Sequence, residues 1–173
     1  MPKVLTDIDI ETFRERLCDV AAKMLAAHGP DGVTMRQLAA ELGVSSMTPY
    51  RYFKDKDAIL AAVRRRAFTR FADAMDRGWV LEAELGDGHT GRPYVDFALG
   101  NPAAYRMMFD TYQPTVHKYP DLLAAMERAR TTMAAGWRRL AEKGKISGNP
   151  ELAGHVHWSA LHGAVMLELT GLL

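Results

Sequence analysis

The sequence of 173 residues contains a single cysteine and no long apolar run. One cysteine excludes an internal disulfide and a zinc site built from cysteines. No stretch approaches the roughly 20 consecutive apolar residues of a membrane-spanning helix, so we expect no membrane partner. The first residues, MPKVLTDIDIE, lack the apolar core of a signal peptide, which favours a reducing cytoplasm. The 22 basic and 21 acidic residues leave a net charge of +1, so any nucleic-acid contact must come from a local patch.

Apolar residues recur at steps of three and four almost throughout the chain, a spacing typical of amphipathic helices. With 48% hydrophobic residues there is enough apolar surface for a core, and no strand pair or repeat stands out. We therefore predict an all-α fold of about eight helices, in one compact domain or two small ones. The N-terminal helices are expected up to His28 and over residues 35–42, 47–53 and 55–79. The C-terminal helices are expected over residues 94–99, 103–112, from 120, and from 149 to about 172, with residues 86–93 as a loop.

The predicted helix starts are marked by residues that satisfy free backbone groups. Thr34 and Gln37 have the spacing of a capping box, and Asp55 suits the position before the long fourth helix. Asn101-Pro102 and Asn149-Pro150 each combine a capping residue with proline at the first helical position. These positions predict where four of the helices begin.

Residues 34–53 have the pattern of a helix-turn-helix, in which two short helices flank a Gly-Val-Ser turn at residues 43–45. Gly43 takes the left-handed conformation of such a turn without steric cost, and the small Ala39 lets the helices cross closely. The residues that would bury this contact are Leu38, Leu42, Val44 and Phe53. In this motif the second helix lies in the major groove of DNA.

Polar and basic side chains crowd the second of these helices beyond what packing requires, which favours DNA contact over a plain corner between two helices. Residues 34–56 contain four basic and two acidic residues, a local net charge of +2, and Arg64, Arg65 and Arg66 would extend the basic surface. Hydroxyl and guanidinium groups suit base edges, while flanking basic groups suit phosphates. The candidate DNA-binding residues are Arg36, Ser46, Thr48, Tyr50, Arg51, Tyr52 and Lys56.

The run VTMRQLAAELGVSSMTPYRYFKDKDAIL, residues 33–60, resembles the TetR family of bacterial transcriptional repressors. The family pattern falls on Thr34, Leu38, Ala39, residues 42–45, Tyr50, Phe53, Lys56 and Leu60. The resemblance implies a three-helix DNA-binding domain over residues 1–56 and a C-terminal helical domain for effector binding and dimerisation over residues 57–173. It also implies DNA contacts by Arg36, Ser46, Thr48, Tyr50, Tyr52 and Lys56. Met47 and Tyr52 stand where the family often has glycine and histidine, which bears on the operator sequence.

Three C-terminal segments, residues 94–109, 119–143 and 158–169, resemble one subclass of TetR C-terminal domains. This subclass is called WHG-type after a Trp, His, Gly arrangement, which Trp158, His162 and Gly163 match. Aromatic and methionine side chains recur there at helical spacing, and they either fill the core or line a pocket for an apolar or aromatic effector. The candidate pocket residues are Tyr105, Met108, Phe109, Tyr112, Met126, Met133, Trp137, Trp158, His162 and Met166, with His155 as a further polar group.

The last predicted helix has a second face of small residues, which permits close approach of another backbone. This face either packs against its counterpart in a homodimer, as part of a four-helix bundle across a two-fold axis, or contacts the chain's own helices. The candidate dimer-interface residues are Ala153, Val156, Ala160, Gly163, Ala164, Leu167 and Gly171.

We therefore interpret the chain as a transcriptional regulator that binds a palindromic operator in double-stranded DNA as a homodimer, and that represses until an effector binds. No catalytic triad, phosphate loop or carboxylate pair has the spacing of an active site, so we expect neither an enzyme nor a cofactor. His155 and His157 lie about 200° apart around a helix, which argues against a shared metal ion. Two other hypotheses remain: a small helical enzyme or metal-binding protein that uses the C-terminal histidines, and a regulator without a ligand.

Overall fold

The structure is a computed structural model that describes residues 6–85, 91–109 and 115–173, and within them the side chains outside residues 81–85. The described residues form seven α-helices, three short 3₁₀ turns and no strand, so the predicted all-α fold is confirmed. The α-helices are α1 (Asp7–His28), α2 (Met35–Glu41), α3 (Lys56–Leu85), α4 (Arg92–Gly100), α5 (Pro102–Met108), α6 (Pro120–Glu142) and α7 (Pro150–Leu169). None of the described helices is both long and apolar enough to cross a lipid bilayer.

Helix α1 begins with a full capping box, formed by Thr6 and Asp9, that the sequence interpretation missed. At α2 the hydroxyl of Thr34 accepts the backbone N–H of Gln37 at 3.2 Å, as predicted. The Gln37 amide, however, contacts the Thr34 hydroxyl and not its backbone N–H, so the box is only half formed. Two further predicted caps are also present: the Asp55 carboxylate accepts the N–H of Ala58 at 2.8 Å, and the Asn149 side chain caps α7.

Asn101 does not cap α5 with its side chain, contrary to the prediction. Its amide donates to the backbone oxygen of Phe97 at 3.0 Å and accepts from Arg70 at 2.8 Å. Helix α5 ends at Met108, and the last residues of the helix predicted over 103–112 fall partly in 110–114, outside the described residues. Most of the predicted 86–93 loop also lies outside them, and α4 already begins at Arg92.

The helix predicted over residues 47–53 is instead a single 3₁₀ turn, Pro49–Arg51, which is why the described chain has seven α-helices and not eight. Its backbone bonds run mostly from each residue to the third before it: Thr48 donates to Ser45, Arg51 to Thr48 and Tyr52 to Pro49. Pro49 is the first residue of this turn, where the N–H that proline lacks would have no partner within the turn.

Two hydrophobic cores share the long helix α3. Its first turns place Ile59, Leu60 and Val63 in a core with α1 and α2. Its later turns place Phe68 and Phe71 in a second core with the C-terminal helices. At 30 residues α3 is about 45 Å long, so one rigid rod spans both cores. The predicted domain boundary near residue 56 therefore falls at the start of α3, a helix that contributes residues to both cores.

Arg64 lies where α3 passes from one core to the other, and it is only 3% exposed. Its Nε donates to the backbone oxygen of Met107 at 2.9 Å. The expectation that Arg64 extends a basic surface is therefore wrong: the apolar residues around it bury the guanidinium group. Arg66 is half-buried and pairs with Asp19 of α1 at 2.7 Å, so it too joins helices together.

Helices α3 and α6 are held together by a tryptophan over a glycine and by an ion pair. The indole N–H of Trp79 donates to the backbone oxygen of Thr132 at 2.9 Å, and its ring lies directly over Gly136. Arg128 of α6 bridges two carboxylates of α3: its guanidinium nitrogens lie 2.6 Å from an oxygen of Asp73 and 2.5 Å from an oxygen of Asp76. Close approach at this point therefore depends on the absence of a side chain at residue 136.

We expect Gly136→Ala to destabilise the fold. An alanine Cβ there would lie 1.9 Å from an atom of the Trp79 ring, so the ring would have to move and give up its hydrogen bond. Overpacking of this kind costs about 1–3 kcal/mol, which outweighs the helix propensity gained, about 1 kcal/mol. The control is Gly100→Ala, because nothing lies within 4 Å of a Cβ at that position. Chemical denaturation measures both, and equal stability of the two variants would contradict the packing described.

Candidate nucleic-acid interface and effector pocket

The segment that follows α2 is fixed to the first core by side chains that point inward. Pro49 is fully buried and Phe53 is 5% exposed. Behind them, Arg14 of α1 donates to the backbone oxygen of Tyr52 at 2.5 Å and covers the Phe53 ring at 4.3 Å. The turn is thus rigidly attached although it contains little regular structure.

The same segment directs polar side chains outward. Ser46, Arg51 and Tyr50 are exposed, the tyrosine by 49%, and Arg36 is exposed on α2. The exposed apolar Met47, which is 64% exposed, was not among the predicted contacts. The surface that results is hydroxyl-rich and basic, as a DNA-reading surface requires.

The remaining predicted DNA contacts are less accessible. Thr48 and Lys56 are half-buried. Tyr52 is also half-buried, because its ring packs against Phe13 with 4.6 Å between the centroids. Because Tyr52 directly precedes the buried Phe53, the sequence alone could not show whether its ring faces solvent or the core.

A cavity of about 460 Å³ lies in the second core, between α3, α5, α6 and α7. Its walls are mostly apolar. The lining residues are Phe68, Phe71, Met108, Phe109, Leu123, Met126, Glu127, Ala129, Arg130, Met133, Ala134, Glu151, Gly154, His155 and Trp158. Cavities of this size and character are the usual form of small-molecule sites.

Five of the predicted pocket residues, together with His155, line this cavity: Met108, Phe109, Met126, Met133 and Trp158. Tyr105 and His162 lie behind its wall, in contact with the ring of Phe109. Trp137 packs instead against His157, and Met166 packs on the core without lining the cavity. Tyr112 lies outside the described residues.

A chain of hydrogen bonds runs behind the cavity wall. The indole N–H of Trp158 donates to the hydroxyl of Tyr94 at 3.1 Å, the Tyr94 and Tyr105 hydroxyls are 2.5 Å apart, and Tyr105 is 2.6 Å from Nδ1 of His162. All three bonds are satisfied in one direction if His162 accepts at Nδ1, so the network favours the neutral imidazole. Burial acts in the same sense, since it lowers the pKa of His162 and raises the pKa of both tyrosines.

Charged side chains that the sequence interpretation missed also line the cavity. Glu127 pairs with Arg130 at 2.6 Å, and Glu151 pairs with Arg138 at 2.5 Å. The neighbouring arginine holds the pKa of each carboxyl below its usual range. Oε2 of Glu151 is buried and has no hydrogen-bond partner among the described residues. Glutamates and arginines at helical spacing are typical of a helix face exposed to solvent, so their spacing alone gave no indication of the cavity.

The small-residue face of α7 is turned away from the chain's own helices. Val156 is 62% and Leu167 43% exposed, and a Cβ at Gly163 would meet nothing within 4 Å. Ala160 and Ala164 are exposed, as is Gly171 beyond the helix end, while Ala153 is half-buried. The opposite face, with Trp158 and His162, contacts the second core.

No three His, Cys, Asp or Glu side chains are grouped as metal ligands within the parts of the chain that the structure describes. The imidazole of His162 is bonded to Tyr105, and Nδ1 of His155 contacts the backbone oxygen of Glu151 at 2.8 Å. The hypothesis of a metal-binding protein therefore gains no support from the placement of these histidines.

Comparison with known proteins identifies related chains. HTH-type transcriptional regulator Rv1816 of Mycobacterium tuberculosis is 25% identical over 122 residues, which are 67% of this chain and 51% of that protein. The chain thus spans about half the length of this curated relative. A protein of unknown function from Rhodococcus sp. RHA1 has a TM-score of 0.78 at 25% identity, over 100% of this chain and 88% of that one. The regulator FadR from Bacillus subtilis, solved in complex with stearoyl-CoA, has a TM-score of 0.70 at 16% identity, over 91% and 87%.

Family models match both parts of the chain. The model of bacterial regulatory proteins of the tetR family matches residues 17–63, which contain the turn at residues 43–45 and the outward-facing segment. The model of the tetracyclin repressor-like C-terminal domain matches residues 89–173, which contain most of the cavity wall. The chain therefore belongs to the TetR family of bacterial regulatory proteins.

Proposed function

We propose that the chain is a transcription regulator that binds operator DNA as a homodimer and releases it when a small molecule occupies the cavity. The observation that carries the proposal is the segment 45–53, which buried Pro49 and Phe53 fix to the core while its polar side chains face solvent. Packing alone does not explain why Met47, Tyr50 and Arg51 are exposed within the same short segment. Membership of the TetR family supports the same assignment.

In this proposal each exposed group has a separate role on DNA. Arg36 and Lys56 contact phosphates and fix the register, while Thr48, Tyr50 and Arg51 reach base edges in the major groove. Ser46 suits a phosphate or a base edge. Tyr52 acts mainly as a support, because its ring packs against Phe13.

The exposed face of α7 supports the proposal of a homodimer. Leu152, Val156 and Leu167 are all more than 40% exposed, and small residues lie between them. Apolar surface of this kind on a helix is expected where a second copy packs. Because a two-fold axis would relate the two recognition segments, the operator would be a palindrome.

The cavity supports a small-molecule effector rather than a regulator without a ligand, which would have a filled core. Its lining suits an apolar or aromatic compound, and the unpartnered Oε2 of Glu151 calls for a hydrogen-bond donor on that compound. FadR of Bacillus subtilis, which shares the fold, was solved with stearoyl-CoA. We also assign the C-terminal part to the WHG-type subclass, on Trp158 at the cavity wall and His162 and Gly163 beyond it.

Helix α5 connects the cavity to the DNA-binding core. At its end Met107 packs against both cores, while the next residues, Met108 and Phe109, line the cavity. The Met107 backbone oxygen accepts from the buried Arg64 of α3. A compound that moves the end of α5 therefore acts on the helix that carries the DNA-binding core. The ligand releases DNA only to the extent that it prefers the altered conformation.

We expect Arg36→Ala to weaken binding to any DNA duplex and to lower the salt dependence of binding by about one phosphate contact. Fluorescence anisotropy on a duplex of random sequence, repeated over a range of salt concentrations, measures both quantities. Arg77→Ala is the control, because Arg77 is exposed on α3 about 30 Å along the helix from Lys56. Equal losses in the two variants would contradict the proposed interface.

We expect Ala129→Phe to fill the cavity and to weaken binding of the fluorescent probe N-phenyl-naphthylamine by about tenfold or more, which is ~1.4 kcal/mol. The probe is apolar and aromatic and carries one N–H donor for Glu151. Ala124→Phe is the matched control, since Ala124 is exposed on the same helix and does not line the cavity. Both melting temperatures are recorded, and unchanged probe affinity in a folded Ala129→Phe protein would rule out the cavity as the binding site.

A further inference from the structure

A second cavity of about 660 Å³ lies between α1, α3 and α5. None of its lining residues lines the 460 Å³ cavity of the second core, which we call the effector pocket. We call the second cavity the interhelical trough. Its floor is apolar: Leu25 comes from α1, Val63 and Ala67 from α3, and Ala104 and Met107 from α5. The volume is within the roughly 300–1,000 Å³ typical of small-molecule sites.

The rim of the trough is cationic. Lys23, Arg66, Arg70 and Arg106 all line it, and Asp19 is the one acidic residue among its lining side chains. Asp19 is already paired with Arg66 at 2.7 Å. The trough therefore has an excess of three positive charges around an apolar floor.

The partners of two of these cations are uncharged. Arg70 donates to the side-chain oxygen of Asn101 at 2.8 Å, and Arg106 donates to the backbone oxygen of Leu169. Among the residues that the structure describes, neither guanidinium has a carboxylate within ion-pair distance. This differs from the effector pocket, where Arg130 is paired with Glu127. Arginines with spare N–H donors beside an apolar surface suit a planar oxyanion.

We propose that the interhelical trough binds an amphipathic organic anion, with a carboxylate or phosphate head between Arg70 and Arg106 and an apolar tail along the floor. The apolar floor requires a ligand with an apolar tail, because the side chains of Val63, Ala67 and Met107 give a bare anion no polar contact. Duplex DNA does not fit this requirement either, since its phosphates carry no apolar tail. The occupant would touch α1 and α5 together, and so bear on both cores at once.

The test is a calorimetric titration with decanoate of the dimer as purified, in the presence of saturating N-phenyl-naphthylamine, which occupies the effector pocket. We expect the double variant Arg70→Gln, Arg106→Gln to bind decanoate at least about tenfold more weakly than the unchanged protein. Arg77→Gln is the control for the loss of an arginine charge on α3, because Arg77 lies seven residues beyond Arg70 and does not line the trough. Binding to the unchanged protein is expected to weaken as salt is raised.

Three comparison ligands separate the possible recognition modes. Decyl phosphate in place of decanoate identifies the preferred head group, and tighter binding of either anion supports the proposal. Decanol and acetate, which keep only the tail or only the head, are both expected to bind at least tenfold more weakly. Decanol that binds as tightly as decanoate, or decanoate affinity that is unchanged in the folded double variant, would overturn the proposal. If the probe does not bind, the same titrations are made in the Ala129→Phe background, in which the effector pocket is filled, so that the variants still report on the trough.

Discussion

The structure depends on one unbroken helix that two hydrophobic cores share. Helix α3 places Ile59 and Leu60 in the first core and Phe68 and Phe71 in the second. Because one rigid helix contributes to both, a displacement of one core also displaces the other. Arg64 lies at the point of change, buried and bonded to the backbone of α5. A guanidinium in such surroundings is stable only while its hydrogen-bond acceptors stay in place, because an uncompensated buried charge is expensive.

This arrangement explains how a small turn is held in one position, as the proposed DNA contact requires. The segment 45–53 has only one 3₁₀ turn of regular structure, yet Pro49, Phe53 and the Arg14 contact fix it against a core that α3 completes. Different residues of the same short helix, α5, line the effector pocket and the interhelical trough. In the proposed function, a compound that alters the position of α5 acts close to the Arg64 bond and, through it, on the first core.

Local chemistry made much of this fold predictable. The caps at Thr34, Asp55 and Asn149 mark helix starts because each satisfies backbone groups within three residues of itself. Asn101 has the same local pattern, but its side chain finds Phe97 and Arg70 instead. The family pattern identified the segment that we propose binds DNA, although not that it forms a 3₁₀ turn.

What the sequence did not predict depends on contacts between distant residues. Arg64, Arg65 and Arg66 look alike as a basic run, and only the packing of α5 over α3 buries the first of them. The charged wall of the effector pocket, Glu127 and Glu151, follows a helical spacing that solvent-facing residues share. Likewise, Tyr94, Tyr105 and His162 lie up to 68 residues apart, so their hydrogen-bond chain exists only in the folded protein.

Selection of binding sites from random double-stranded DNA with the purified protein measures whether segment 45–53 reads DNA sequence twice in each proposed dimer. We expect enrichment of a palindrome with half-sites about 34–36 Å apart or a multiple of that distance, and a changed preference within each half-site for Arg51→Ala. No enrichment by a folded protein, or the same enriched sequence from the Arg51→Ala variant, would contradict the proposed function.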